Sequence, residues 1–193
     1  MFAAGADIVV CGRVADASVT VGAAMWWHGW KRETHVQEFA GALMIGHIIE
    51  CSTYATGGYY SGFKDLGVND TDMGYPIAAV DHLGQAVITM ENGKHGLCTP
   101  ATIASQLLYE IQGPLYLNSD VTASIEGIKL ESVGENAVLV SGVKGLPAPT
   151  RTKGIFILAF RLTLPLTCSH SWYYGQGWLA SRVPFLPHWT RHR

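Results

Sequence analysis

Apolar and polar positions along the chain predict alternating strands and helices. Ile8, Val9 and Val10 form an unbroken β-branched run, which predicts a short strand buried on both faces. Gly12 breaks the run and Arg13 and Asp16 follow; Ala15 to Trp30 has helical composition, with Gly29 as its stop. Phe39 to Cys51 predicts a second helix with a broad apolar face made by Phe39, Leu43, Ile45, Ile48 and Ile49. Tyr75 to Val80 and Ala86 to Met90 read as strands joined by a hairpin loop at Asp81 to Gly84. Thr99 and Pro100 open a third helix running to Glu110, as N-cap and first helical residue. Residues 121–143 read as a β-rich segment, and Gly145 to Pro149 as a linker.

These elements predict an α/β fold: a mixed or mostly parallel sheet with flanking helices, plus that β-rich segment. The order strand, glycine turn, charged pair, helix at Gly5 to Ser18 marks the carboxyl edge of a strand, where ligands sit in open α/β sheets. After Lys153 the pattern loses periodicity. Ile155 to Phe160 reads as a strand, and the remaining aromatic residues carry no helical or strand spacing. Two regions result: an α/β domain over residues 1–153 and a divergent, poorly specified tail over 154–193.

Composition narrows the function classes. With 193 residues, 48% hydrophobic and 15% charged, the chain has enough apolar residues for a real core. All 15 acidic residues lie at or before Glu135, and the remainder carries seven Lys or Arg. Those seven are scattered among apolar residues, so nucleic acid is not an expected partner. The apolar stretch from Ile155 to Leu166 is interrupted by Arg161 and Pro165, so a membrane span is not expected. Cys11, Cys51, Cys98 and Cys168 form no C-x-x-C pair, which removes zinc-type spacing and predicts reduced thiols in a cytoplasmic protein.

Several clusters carry candidate chemistry, each with a plainer structural reading. Arg13 suits a planar anion, and Asp16 would orient it or act as a base; the alternative is a salt bridge fixing the turn. His47 and Glu50 share a helix face at i and i+3, as an acid–base pair or a structural contact. Thr56, Gly57 and Gly58 would present backbone amides to an anion, or form a helix end and connection. Lys94, His95 and Thr99 at a helix start would hold a second anionic group. Trp26, Trp27 and Trp30 are expected to be buried in the core or at a subunit contact, in preference to forming a stacking platform. No nucleophile elbow, Walker loop, complete dinucleotide fingerprint or metal-ligand spacing is present, so the residues name no cofactor. A cleft uniting Arg13, His95 and Thr56 to Gly58 would favour an enzyme; scattering of those three segments across opposite faces would defeat that reading.

Taken together, these blocks resemble a known family. Gly5-Ala-Asp-Ile-Val-Val-Cys-Gly-Arg-Val-Ala-Asp16 resembles the GADIVxTGRVAD stretch of the acyclic terpene utilisation (AtuA-like) family. Gly46-His47, Glu50-Cys51, Thr56-Gly57-Gly58, Leu66-Gly67 and Gly74-Tyr-Pro-Ile-Ala78 match its following blocks, as do Thr99-Pro-Ala-Thr102, Gln106-Leu-Leu-Tyr-Glu110 and Tyr116-Leu-Asn-Ser-Asp-Val121. The resemblance implies an α/β domain tied to breakdown of citronellol- and geraniol-type compounds, a pathway that works on acyl-CoA thioesters. It therefore implies a small anionic or acyl-CoA substrate, or the role of a non-catalytic subunit or scaffold in an acyl-CoA enzyme complex. It also implies truncation, since family members begin upstream with a G-N-A-x-G-F type strand–loop, and an inactive fragment is the corresponding alternative.

Overall fold

The computed structural model describes residues 1–67, 71–151, 171–174 and 177–180. The chain divides into two compact units, Met1–Pro149 and Thr150–Arg193. In the second, strands β8 (Ser171–Tyr174) and β9 (Gly177–Ala180) form an antiparallel hairpin. The strand expected at Ile155 to Phe160 lies outside the described residues.

The first unit is built on three α-helices and two sheets. Helix α1 (Ser18–His28) stops at Gly29, which takes the left-handed conformation at φ 69° and donates its amide to Met25. Helix α2 (Val36–Ile49) is buried without interruption from Phe39 to Ile48. A helix that is apolar all round must be covered on all sides. Helix α1, strands β1 (Pro76–Val80), β4 (Thr122–Ser124) and β7 (Lys144–Leu146), and helix α3 (Pro100–Leu107) supply that cover. The remaining strands are β2 (Ala86–Met90), β3 (Leu115–Leu117), β5 (Lys129–Gly134) and β6 (Ala137–Ser141).

The fold is mixed α/β, but the expected parallel sheet is corrected. One sheet has the order β1-β2-β6-β5 and the other β3-β4-β7, and all these pairings are antiparallel. The connections explain why. Parallel neighbours need a crossover of about a dozen residues or more. Here Asp81 closes β1 onto β2 by accepting from the amides of Leu83 and Gln85 through Oδ1, both at 2.9 Å. Asn136, at φ 50°, lies in the equally short turn between β5 and β6.

Three further expectations are corrected. Ile8 to Val10 is neither a strand nor buried: Ile8 is 82% and Val10 88% exposed. An apolar run reports a preference for burial, but not whether a partner strand lies alongside. Of the three tryptophans, only Trp30 is buried, with its Nε1 donating to the His82 carbonyl at 3.3 Å. Trp26 and Trp27 stand out from α1 at 46% and 75% exposure. Finally, residues 145–149 are not all linker. Gly145 lies in β7, where the Gln37 side chain takes both its amide and its carbonyl, at 2.8 and 3.0 Å.

Close packing around α2 depends on glycine. A Cβ on Gly41 would strike the Gly84 carbonyl in the β1–β2 turn, and one on Gly46 the Ala17 carbonyl. On α1, by contrast, a Cβ on Gly22 meets nothing within 4 Å. Gly41→Ala is therefore expected to lower stability by about 1–3 kcal/mol through overpacking. Gly22→Ala should raise it by about 0.5–1 kcal/mol through helix propensity. Urea unfolding midpoints of the two variants test this opposition of sign.

Candidate functional site

The candidate site starts at the C-terminal end of α2. His47 sits in the last turn of this buried helix with its side chain 1% exposed, and Glu50 follows just beyond it at 9%. His47 Nδ1 and Glu50 Oε1 approach to 3.2 Å, without the alignment of a hydrogen bond. The last carbonyls of a helix lack intrahelical donors. Gln106, fully buried on α3, supplies one by donating from Nε2 to the His47 carbonyl at 2.9 Å. Tyr116 of β3 lays its ring 5.3 Å from that of His47.

This packing leaves both His47 ring nitrogens, Glu50 Oε2 and Gln106 Oε1 buried without hydrogen-bond partners. Each such atom costs about 1–3 kcal/mol. The chain itself does not satisfy these four, so water, a ligand or a reacting group would complete the bonding.

The opposite wall is the irregular segment that carries Arg13. Gly12, Arg13, Val14, Asp16, Val19, Glu50 and Cys51 line an open cleft of about 440 Å³. Arg13 and Asp16 are both exposed, and they are not partners in an ion pair. The salt-bridge reading of that turn is therefore unsupported, and both groups are available to a ligand. Carboxylates act on the groups around the cleft. Burial pushes the Cys51 thiol above its ordinary range; Glu50, Glu110 and Asp16 add to this, while a hydrogen bond from Gln106 opposes it. Burial likewise raises the Tyr116 hydroxyl, again with help from Glu50, Asp16 and Glu110.

Other expected site residues are placed elsewhere or engaged internally. Thr56 is buried in a single π-helical turn, Tyr54–Gly58. Its hydroxyl lies within reach of the Thr53 and Gly74 carbonyls, at 3.0 and 2.8 Å, and its carbonyl accepts from the Leu97 amide. The Thr56 and Gly58 amides both donate to the Thr53 carbonyl. Gly57 supplies the φ of 116° that the turn requires. Lys94 pairs with Asp72 at 2.7 Å, which raises its pKa, and borders a separate opening with Glu91 and Glu135. His95 is exposed and donates its amide to the Asp72 carbonyl. Thr99 forms a capping box with Thr102, each side chain accepting the other's amide, at 3.2 and 2.9 Å.

The structure thus brings Arg13, Asp16 and Glu50 to one cleft, with His47 behind Glu50. Lys94, His95, Thr99 and Thr56 to Gly58 are not among the residues lining it. Cys51, Gln106, Tyr116 and Glu110 belong to this environment although sequence reasoning gave them no role. Gln106 could have been found as a polar residue at an apolar, core-facing position of α3, between Ile103 and Leu107. Among the described residues, no three His, Cys, Asp or Glu side chains converge as a metal ion would need. No helix among them is long and apolar enough to cross a membrane.

The chain belongs to the acyclic terpene utilisation family. The family model described as acyclic terpene utilisation family protein AtuA matches residues 1–161. No curated protein and no solved structure matches the chain.

The environments of the thiols predict their reactivity. Cys11 is exposed, Cys51 is partly buried beside carboxylates, and burial raises the Cys98 thiol to about 11. Because the thiolate is the reactive form, alkylation at neutral pH should proceed in the order Cys11, Cys51, Cys98. Cys98 should react only on unfolding. Peptide-mapped alkylation time courses test this; rapid labelling of Cys98 in the folded protein would contradict it.

Proposed function

We propose that this protein serves acyclic terpene breakdown by binding a carboxylate or acyl thioester in the cleft between Arg13 and Glu50. Family membership supports the metabolic setting. One observation carries the chemistry: an unpaired, exposed guanidinium shares a cleft with a carboxylate that is nine-tenths buried and in contact with a buried imidazole.

In this reading Arg13 holds the anionic or carbonyl end of the substrate, since its planar fork makes paired, charge-assisted hydrogen bonds. Asp16, three residues on, orients Arg13 once substrate is bound or takes a proton from it. The His47–Glu50 pair is the acid–base group. His47 Nδ1 faces Glu50 Oε1, while Glu50 Oε2, buried and without a partner, is the oxygen that would exchange a proton. The surrounding carboxylates make Arg13 the anchoring point for an anion and disfavour one placed deeper. A second anion subsite at Lys94, His95 and Thr99 is not carried forward, because Lys94 is committed to Asp72 and Thr99 to Thr102.

A second reading, a non-catalytic subunit of an acyl-CoA enzyme complex, is favoured by the exposed Trp26 and Trp27. Thermal-shift titration with CoA, acyl-CoA thioesters and short branched carboxylates separates the two. Ligand should raise the Tm of the parent, and Arg13→Ala should weaken binding about 10- to 100-fold, the loss of a charge-assisted contact. Equal stabilisation of parent and variant would remove Arg13 from the site. No response to any of these ligands would leave the subunit reading.

A further inference from the structure

The Arg13 cleft shares two apolar wall residues with a neighbouring cavity. Val14 and Val19 line it, and the same two residues line a second cavity of about 720 Å³ that runs along α1. That cavity is walled mainly by apolar groups, among them Phe2, Val9, Gly22 and Trp26, and Lys31 is the one charged side chain on its border. Its volume lies in the range of small-molecule sites, roughly 300–1,000 Å³. Val14, Val19 and Trp26 are 45%, 64% and 46% exposed, so the cavity leaves apolar surface in contact with water. Phe2 and Trp26, both on its lining, stand 5.2 Å apart between ring centroids.

A polar cleft and an apolar groove with common walls define an amphiphilic occupant. We propose that the groove along α1 is the acyl-chain subsite of the Arg13 cleft. The ligand is then a carboxylate or thioester whose hydrocarbon tail passes Val14 and Val19 and lies over Gly22. This rests on the reading of Arg13 as the anion-binding group and extends it to the substrate's other end. Continuity decides the occupant. A wholly apolar partner surface would leave Arg13 and Asp16 unanswered, and a small polar ligand would leave the groove wet.

Gly22 is the residue on which the groove depends. It sits in the interior of α1 at a costly position for glycine, yet a Cβ built there meets nothing within 4 Å. The missing side chain is therefore not required by close packing; it keeps the floor of the groove open. A larger residue at position 22 fills the tail's space while favouring the helix.

The test is an affinity series with straight-chain carboxylates from acetate to decanoate, a branched counterpart and the matching uncharged alcohols, read by calorimetry and thermal shift. In the parent, each methylene added within the groove should tighten binding about fourfold. Gly22→Leu should keep the response to acetate and butyrate and lose the gain with length. Val19→Asp, at an exposed position, should lose it as well. Affinity independent of length in the parent overturns the proposal, as does a length gain that survives in both variants. The two readings fail separately. Short carboxylates that bind through Arg13 without a length gain remove only the tail subsite. A length gain that Gly22→Leu abolishes but Arg13→Ala leaves intact, shared by the alcohols, removes only the role of Arg13.

Discussion

From Phe39 to Ile48, α2 offers no face that can be left in water. An element of that kind cannot lie on a surface, so the other elements arrange themselves as its sheath. Two sheets and two helices contribute, and small residues set how closely they approach. Gly41 admits the carbonyl of the β1–β2 turn, and Gly46 admits that of Ala17 just ahead of α1. The Gln37 side chain, at the outer start of the same helix, holds β7 by its backbone. Much of the stability of the first unit therefore depends on one helix that has little independent reason to form in water.

That arrangement also explains the character of the candidate site. The buried helix carries His47 into the interior, where a polar ring must either be satisfied or serve chemistry. Gln106 satisfies the backbone at that point but leaves the imidazole Nε2 unmatched. The result is a cleft with unequal walls. One wall is Glu50 and Cys51, backed by the buried His47 and Gln106. The other is the irregular segment from Gly12 to Asp16, whose side chains are exposed.

What could be read in the sequence was what is local in the chain. The Gly29 stop, the Thr99-Pro100 start and the Asp81 turn each depend on residues within a few positions, and each was legible. Pairing between distant segments was not. The β-branched run at Ile8 to Val10 carries the composition of a buried strand, but composition cannot say whether a neighbour lies beside it. Strand direction was misjudged for the same reason. The hairpin loop between β1 and β2 was recognised, yet the preceding strand–turn–helix pattern favoured a parallel sheet. For the candidate site, Arg13, Asp16, His47 and Glu50 were singled out by residue type and spacing, and the structure places Arg13, Asp16 and Glu50 on one cleft. The cluster's other members were not, because Gln106 and Tyr116 reach it only through tertiary packing of α3 and β3.

The order of strands in the larger sheet bears on how the chain is made. β1 and β2 close on each other within a few residues, as do β5 and β6, but the sheet is complete only when β2 meets β6, pairing Ala86 with Val140 and Ile88 with Val138. During synthesis from the N-terminus, β2 leaves the ribosome with one edge unpaired, and it stays so until the chain past Ser141 has emerged. Helix α3 and the first two strands of the smaller sheet are made in that interval. An open, apolar strand edge invites pairing with other nascent chains. The Ala-Val-Ile-Thr-Met sequence of β2 therefore carries an unpaired apolar edge throughout that interval.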